Sequence, residues 1–130
     1  MPDRTESILE HIVERCDEIK GTLKRLDDNI SNFLSDGDFQ RSICFNLAQI
    51  GEEVKHLPMD FRAQYPQISW KKICGLRDFM VYAYGDVNLN SIFEVAHDDV
   101  DELKTFCEEW LNQNQSDLEA EDDEDDEMEP

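Results

Sequence analysis

Apolar residues at steps of three or four positions are the feature that most constrains the fold of this chain. The first stripe consists of Ile8, Ile12, Cys16, Ile19, Leu23 and Leu26. The second consists of Phe39, Ile43, Leu47, Ile50, Val54 and Leu57, and the last of Leu89, Ile92, Ala96, Val100, Leu103, Cys107 and Trp110. This spacing matches the period of one face of an α-helix. Because no stretch alternates like a half-buried strand, the sequence predicts an all-α fold.

Helix boundaries can be assigned from capping and breaking residues. Residues 27–29 (Asp-Asp-Asn) interrupt the first helix, and Pro58 closes the second because proline removes a backbone donor. Ser69 is placed to cap a further helix from Trp70 to about Tyr84, and the last helix begins near Asn88. We therefore expect a bundle of four main helices plus short helices, in one domain that spans residues 1–111.

The C-terminal segment differs in composition from the rest of the chain. Apolar periodicity stops after Leu111, and residues 117–130 hold ten acidic residues and no basic one. Residues 112–130 are therefore predicted to be a disordered acidic tail. The tail either is a solubilising extension, mimics a nucleic acid at the Arg77 patch of its own or a neighbouring chain, or is a segment that a partner protein recognises. The sequence leaves these three alternatives open.

The formal net charge of −20 limits how the chain can contact nucleic acid. Without residues 117–130 the charge is −10, so the domain itself is acidic. Non-specific binding needs basic surface that displaces counterions, and this composition offers no such surplus, so any contact with RNA must come from a local patch. No apolar run is long enough to span a bilayer, and the first residues form no apolar signal core, so a cytoplasmic location without membrane contact is expected.

Cysteine and histidine spacing argues against a metal site. The cysteines are far apart in the chain, at Cys16, Cys44, Cys74 and Cys107. Zinc sites and redox motifs need closely spaced cysteines, so we expect small buried thiols, one in each predicted helix. His97 with Asp98 and Asp99 is interpreted as a solvated helix surface, because consecutive residues of a helix point in different directions. No metal and no cofactor is predicted.

The segment from Gly75 to Asn88 carries the residues best suited to chemistry. Arg77 is followed by the polar Asp78, then by Tyr82 and Tyr84. On an ideal helix Arg77 and Tyr82 lie about 140° apart, so one continuous helix would not direct both side chains at one bound group. A distorted helix end or a partner chain is then needed. Arg77 and Tyr84 are seven positions apart and return to nearly one face.

This segment closely resembles the signature of the HepT-like toxins of the HEPN superfamily, which reads arginine, a polar residue, three further residues, histidine, any residue and tyrosine. Arg77, Asp78 and Tyr84 stand at the matching positions, and Tyr82 stands at the position of the histidine. The resemblance covers roughly residues 5–111. Its other matches are Gln49-Ile50-Gly51-Glu52 with Lys55 and Leu57, then Pro66, Ile68, Trp70 and Ile73 to Asp78, and finally Asp86-Val87-Asn88 with Phe93.

The resemblance implies a homodimer whose motif helices meet and form a metal-independent ribonuclease site from both chains. It also implies a partner, a minimal nucleotidyltransferase antitoxin that attaches AMP to the motif tyrosine and silences the toxin. Arg77, Asp78 and Tyr82 are then the expected catalytic residues, and Tyr84 is the expected AMP acceptor. An AMP on Tyr84 would add bulk and negative charge on the face that carries Arg77.

The replacement of the motif histidine by Tyr82 bears directly on activity. Metal-free RNA cleavage deprotonates the 2′-hydroxyl and protonates the leaving 5′-oxygen, which suits histidine with its pKa near ~6.5 better than tyrosine with a pKa near ~10. Arginine suits the phosphate because its planar fork matches the phosphate oxygens. The three histidines of the chain are His11, His56 and His97. None of them follows Arg77 at the spacing of the family, so none is expected to replace the motif histidine.

Several roles remain open at this point. Arg77 either contacts the substrate or forms a salt bridge with one of the many acidic residues, and Asp78 either orients Arg77 or faces solvent. Tyr82 is either a packing aromatic or a hydrogen-bond donor, and Tyr84 is either the nucleotide acceptor or a core or interface residue. The chain is accordingly either a ribonuclease with a degenerate motif, or an inactive homodimer that serves as a binding module for the nucleotidyltransferase.

Overall fold

A computed structural model describes the backbone of residues 4–82 and 88–128, and the side chains within these ranges except those of Phe79, Val81, Tyr82 and residues 115–128. The described residues form helices and turns and no strand, which confirms the predicted all-α bundle. The helices are α1 (Thr5–Arg25), α2 (Ile30–Leu34), α3 (Gly37–Lys55), α4 (Met59–Gln64), α5 (Trp70–Cys74), α6 (Leu76–Tyr82), α7 (Leu89–Glu94) and α8 (Val100–Met128). A π-helical turn, Val95–Asp99, joins α7 to α8.

Three long helices form the frame of the bundle. α1 packs against α3 and α8, and α3 also packs against α5 and α6. The predicted stripes are the buried faces of these helices, and their fully buried members include Ile12, Cys16 and Ile19 of α1, Ile43, Leu47 and Val54 of α3, and Cys107 of α8. Full burial of one large apolar side chain contributes about 1.5–3 kcal/mol, so these stripes supply the main stabilisation of the bundle.

Polar residues fix the turns that connect α1, α2 and α3. Asp27 and Asp28 both adopt the left-handed conformation, with φ of 56° and 51°, which ends α1. The Asn29 side chain accepts a backbone N–H in the first turn of α2, and Asp36 does the same for α3. Asp and Asn tolerate left-handed backbone and are preferred N-caps, so short polar side chains are suited to these positions. The interruption predicted at residues 27–29 is therefore confirmed.

A cluster of aromatic rings holds α4 and α5 against α8. The Phe61 ring lies 5.0 Å from Tyr65 and 6.3 Å from Trp70, measured between ring centroids. It also packs edge-on against Phe106 at 6.5 Å and Trp110 at 5.6 Å. Tilted and edge-to-face pairs at such distances are favourable because the ring edge meets the ring face. The cluster thereby fixes the position at which α5 begins.

The helix predicted from Trp70 to about Tyr84 is divided in two, which corrects the expected single helix. α5 ends before Gly75, which stands at φ −73° and ψ −13°, and α6 begins directly after it. Ser69 lies at the N-terminal boundary of α5 as expected, but its side chain forms no capping hydrogen bond. At the same boundary the Trp70 N–H donates to the carbonyl of Ile68. The expected C-terminal end at Tyr84 lies outside the described residues.

The last helix begins where the sequence predicts and contains an unexpected π-helical turn. Asn88 caps α7 by accepting backbone N–H groups from Asn90 and Ser91. The π turn that follows inserts extra backbone into an otherwise regular helix, while Ala96 and Val100 both stay buried. Steps of three and four along a stripe fit a helix with or without such a turn, so the apolar pattern could not reveal it.

The C-terminal segment follows the path of α8 rather than leaving it. Leu111 is the last buried residue among the side chains that the structure describes, but the backbone stays helical to Met128. The disordered acidic tail predicted for residues 112–130 stays a prediction. An existing helix lengthens at little cost, and the segment contains good helix formers such as Leu118, Glu119 and Ala120. Across the described ranges, no helix is both long and apolar enough to cross a membrane.

Candidate functional site

The last turns of α3 meet the junction of α5 and α6 at an unusually short distance. Gly51 makes this approach possible, because a Cβ at this position would lie 2.8 Å from the Ile73 carbonyl oxygen and 3.0 Å from the Arg77 backbone nitrogen. Real Cβ atoms do not tolerate backbone atoms so near, hence a side chain at residue 51 would push the helices apart. The glycine therefore brings the side chains that follow it on α3 beside the start of α6.

Five polar side chains come together at this contact, and we call them the Arg77 cluster. They are Glu52, Lys55 and His56 from the end of α3, and Arg77 and Asp78 from the first turn of α6. Arg77 Nε lies 3.2 Å from Glu52 Oε2, and Arg77 Nη1 donates to Asp78 Oδ1 at 3.4 Å. The cluster therefore joins the two helices through the arginine.

Two weaker contacts complete the Arg77 cluster. Lys55 Nζ lies 3.7 Å from the same Asp78 oxygen that contacts Arg77, and His56 Nε2 lies 3.9 Å from Glu52 Oε1. Each carboxylate thus stands between two basic groups, one from α3 and one from α6. Glu52 lies between His56 and Arg77, and Asp78 lies between Lys55 and Arg77.

The electrostatics of the Arg77 cluster leave the arginine available to an anion. The Arg77 side chain is 44% exposed and that of Glu52 is 43% exposed, so water screens their attraction. Exposed ion pairs of this kind contribute roughly 0–1 kcal/mol, which an incoming phosphate can replace. In these contacts Arg77 uses Nε and Nη1, and its Nη2 takes part in neither. A phosphate that displaces one of the two carboxylates gains an edge of the guanidinium fork, which can bind two phosphate oxygens.

The structure brings together only part of the predicted site. Arg77 and Asp78 contact each other at the start of α6, so Asp78 touches the arginine while remaining more than half exposed. The backbone of Tyr82 belongs to α6, but its side chain lies outside the described residues. Tyr84, the expected AMP acceptor, lies outside them altogether. The catalytic role of Arg77, Asp78 and Tyr82 and the modification of Tyr84 stay predictions.

Three residues of the Arg77 cluster had no predicted role in the sequence. Glu52, Lys55 and His56 are spaced by three and four positions, which places them on one face of α3. That spacing was visible from the sequence. What the spacing could not show is that this face meets Arg77, because the meeting depends on the packing of α3 against α5 and α6.

The remaining histidines lie elsewhere in the bundle. His11 Nδ1 is 3.7 Å from Glu53 Oε2 of α3, a glutamate that does not belong to the Arg77 cluster. His97 stacks on the Phe93 ring, and its Nδ1 lies 2.9 Å from Asp98 Oδ1. The hydrogen bond to Asp98 raises the pKa of His97. No group of three or more potential metal ligands occurs among the described residues.

The cysteines behave as packing residues. Cys16, Cys44 and Cys107 are buried in the core, as expected, whereas Cys74 is half-buried at the end of α5. Burial raises the pKa of the Cys16 thiol to about 12 and that of Cys44 to about 11, and it also raises the pKa of Cys107. These three thiols therefore stay protonated and unreactive at neutral pH.

The structure thus combines an all-α bundle with an exposed arginine–aspartate pair at the start of the short helix α6. A family model described as "Ribonuclease HepT-like" matches residues 9–110, which is most of the chain and nearly all of the packed bundle that the structure describes. The chain belongs to the HepT-like ribonuclease family. This confirms the family that the motif around Arg77 indicated.

Individual relatives agree with the family model. "Putative RNase TTE0752" of Caldanaerobacter subterraneus subsp. tengcongensis is 33% identical over 103 residues, which cover 79% of this chain and 90% of that protein. "Probable ribonuclease HepT" of Thermococcus cleftensis is 29% identical over 96 residues, 74% of this chain and 86% of that protein. No solved structure matches the chain significantly.

Proposed function

We propose that this protein is a ribonuclease that cleaves RNA without a metal ion, with Arg77 binding the scissile phosphate. The observation that supports this most is the Arg77 cluster, in which an exposed arginine is held by two screened carboxylates and flanked by Lys55 and His56. Arginine stabilises the charge that develops on a phosphorane, and it needs no metal to do so. The membership of the HepT-like ribonuclease family supports the same reaction.

The biological setting that we propose is a toxin–antitoxin pair. The protein acts as a homodimer, and a minimal nucleotidyltransferase silences it by attaching AMP to Tyr84. The support is the match of Arg77, Asp78 and Tyr84 to the motif of the family. An AMP near Arg77 would compete with a substrate phosphate through its own charge and volume.

The motif itself predicts slow cleavage, because Tyr82 occupies the position of the histidine. Tyrosine is almost fully protonated at neutral pH and is a poor base. The loss of one general acid–base residue typically lowers the rate about 10²–10⁴-fold. Introduction of histidine at residue 82 should therefore increase the rate.

Single-turnover cleavage of a structured RNA in the presence of EDTA tests the proposal. Wild type should cleave, Tyr82→His should cleave faster, and Arg77→Ala should lose about 10²-fold or more of the rate. Arg41→Ala is the matched control, since Arg41 is an exposed arginine that pairs with Asp38 on α3, away from the Arg77 cluster. Rapid cleavage by wild type that is unchanged in Arg77→Ala would refute the site.

A second function is favoured by one observation. Two carboxylates compete with RNA for Arg77, and the chain carries a formal charge of −20, so long-range electrostatics repel RNA. In this alternative the homodimer no longer cleaves and serves as a binding module for the nucleotidyltransferase. Binding of that partner with equal affinity to wild type and Arg77→Ala, together with no Arg77-dependent cleavage, would favour it.

A further inference from the structure

His56 shares a carboxylate with Arg77. It stands at the C-terminal boundary of α3, one turn after Glu52, with 62% of its side chain exposed. One oxygen of the Glu52 carboxylate lies 3.9 Å from His56 Nε2, and the other lies 3.2 Å from Arg77 Nε. An anionic group of two oxygens therefore bridges an imidazole and a guanidinium that come from different helices.

A phosphate that replaced the Glu52 carboxylate would meet Arg77 and His56 through its oxygens, because the carboxylate contacts both residues. A phosphate at this place would keep a charged contact with the Arg77 fork and present the adjoining ribose toward His56. Histidine is the side chain with an ordinary pKa close to neutral pH, which suits it to accept and return a proton there. In the sequence His56 precedes Arg77 by 21 positions, so no spacing rule within the motif could identify it.

The other histidines do not share this arrangement. Their carboxylate contacts are to Glu53 for His11 and to Asp98 for His97, and in the described structure neither of these acids contacts Arg77. Of the three histidines, His56 is thus the one that the described contacts link to the arginine.

We propose that His56 replaces the absent motif histidine as the catalytic base, an inference that rests on the proposed ribonuclease function. Neutral His56 takes the proton of the 2′-hydroxyl while the 2′-oxygen forms a bond to phosphorus. The bond between phosphorus and the 5′-oxygen breaks, and its electron pair goes to the 5′-oxygen, which takes a proton from water. The hydroxide so formed accepts the proton from His56. The products are a 2′,3′-cyclic phosphate and a 5′-hydroxyl end.

Charged groups from two helices belong to the cluster that contains His56. Glu52 lies 3.9 Å from His56 on the same helix, and Lys55 is its neighbour in the chain. From α6, Arg77 contacts Glu52 and Asp78 contacts Lys55. A general base accepts a proton only in its neutral form, so the rate of cleavage by wild type should rise between pH 5 and pH 9.

The test compares wild type, His56→Gln, His11→Gln and Arg77→Ala in single-turnover cleavage of one RNA oligonucleotide between pH 5 and 9. His11→Gln is the matched control, because His11 also lies 3.7 Å from a glutamate of α3 but has no described link to Arg77. We expect His56→Gln to lower the rate about 10²–10⁴-fold and to remove the rise with pH, and His11→Gln to change neither. A further variant, His56→Ala, leaves space for a small base, and added imidazole should partly restore its cleavage.

Affinity for an all-2′-deoxy analogue of the oligonucleotide separates catalysis from binding. It should be the same for wild type and His56→Gln, because the proposed role is proton transfer. Cleavage that Arg77→Ala abolishes but His56→Gln leaves intact, with an unchanged pH profile, would overturn the role of His56 alone. Absence of any cleavage that depends on Arg77 would overturn the ribonuclease function and the role of His56 with it.

Discussion

Gly51 of α3 lies so close to Ile73 of α5 that a Cβ on the glycine would stand 2.8 Å from the Ile73 carbonyl oxygen. This contact sets the distance between α3 and the α5–α6 junction, and therefore the distance between Glu52 and Arg77. The side chains of the Arg77 cluster can meet because Gly51 has no side chain that would hold the helices apart.

Replacement of Gly51 by alanine should therefore damage both stability and the site. The added methyl group meets backbone atoms that cannot rotate away, so we expect a loss of about 1–3 kcal/mol in the free energy of unfolding. Gly21→Ala is the matched control, because a Cβ there meets nothing within 4 Å and alanine favours the interior of α1 by roughly 0.5–1 kcal/mol. Urea unfolding of both variants measures the difference. Equal stability of the two variants would contradict the close approach.

Neutralisation of Glu52 should strengthen binding of RNA. Glu52→Gln removes the charge that competes with phosphate for Arg77, and an exposed pair of this kind is worth up to about 1 kcal/mol, or roughly fivefold in Kd. Glu53→Gln, which removes the same charge one position away beside His11, should have a smaller effect. Fluorescence anisotropy with a 2′-deoxy oligonucleotide at low salt distinguishes the two variants. If both bind with the affinity of wild type, Arg77 does not bind the phosphate.

Deletion of residues 117–130 should raise affinity for RNA without loss of the bundle. The deletion changes the formal charge from −20 to −10, so long-range repulsion weakens, and the gain should shrink as salt increases. The last buried side chain that the structure describes is Leu111, so the unfolding midpoint in urea should stay the same. We also expect the homodimer to persist in sedimentation. A monomer after truncation would show that the acidic segment is part of the interface.

Attachment of AMP should depend on the hydroxyl of Tyr84. Incubation with the cognate nucleotidyltransferase, ATP and magnesium should add one or more AMP units to wild type and none to Tyr84→Phe, because that variant lacks only the acceptor oxygen. Tyr82→Phe is the matched control and should still be modified. Intact mass spectrometry with peptide mapping locates the group. Modification at Tyr82 would mean that the two tyrosine roles are exchanged.

Thiol labelling should separate Cys74 from the other cysteines. Burial raises the pKa of Cys16 to about 12 and that of Cys44 to about 11, so at pH 8 these thiols hold almost no reactive thiolate in the folded protein. Cys74 is half-buried, with Arg62 Nη1 3.4 Å from its sulfur, and should react first with iodoacetamide. The buried thiols should react only after denaturation in urea. Labelling of Cys16 as fast as Cys74 would show that the core opens readily.

The sequence by itself determined most of the helices of this protein and their buried faces. The stripes through Ile12, Ile43 and Cys107 predicted the buried faces of α1, α3 and α8, since a period near 3.6 residues has one structural interpretation. The breaks at residues 27–29 and near Asn88 followed from local capping chemistry. The motif around Arg77 also indicated the family, which the comparisons confirmed.

The tertiary structure alone decided the division of the motif helix at Gly75, the π-helical turn at Val95–Asp99 and the neighbours of Arg77. Each depends on how distant segments pack, and the apolar pattern of one helix carries no information about its partner. Glu52 and His56 precede Arg77 by more than twenty positions. They reach it because α3 can approach the α5–α6 junction at Gly51, a contact that exists only in the folded chain.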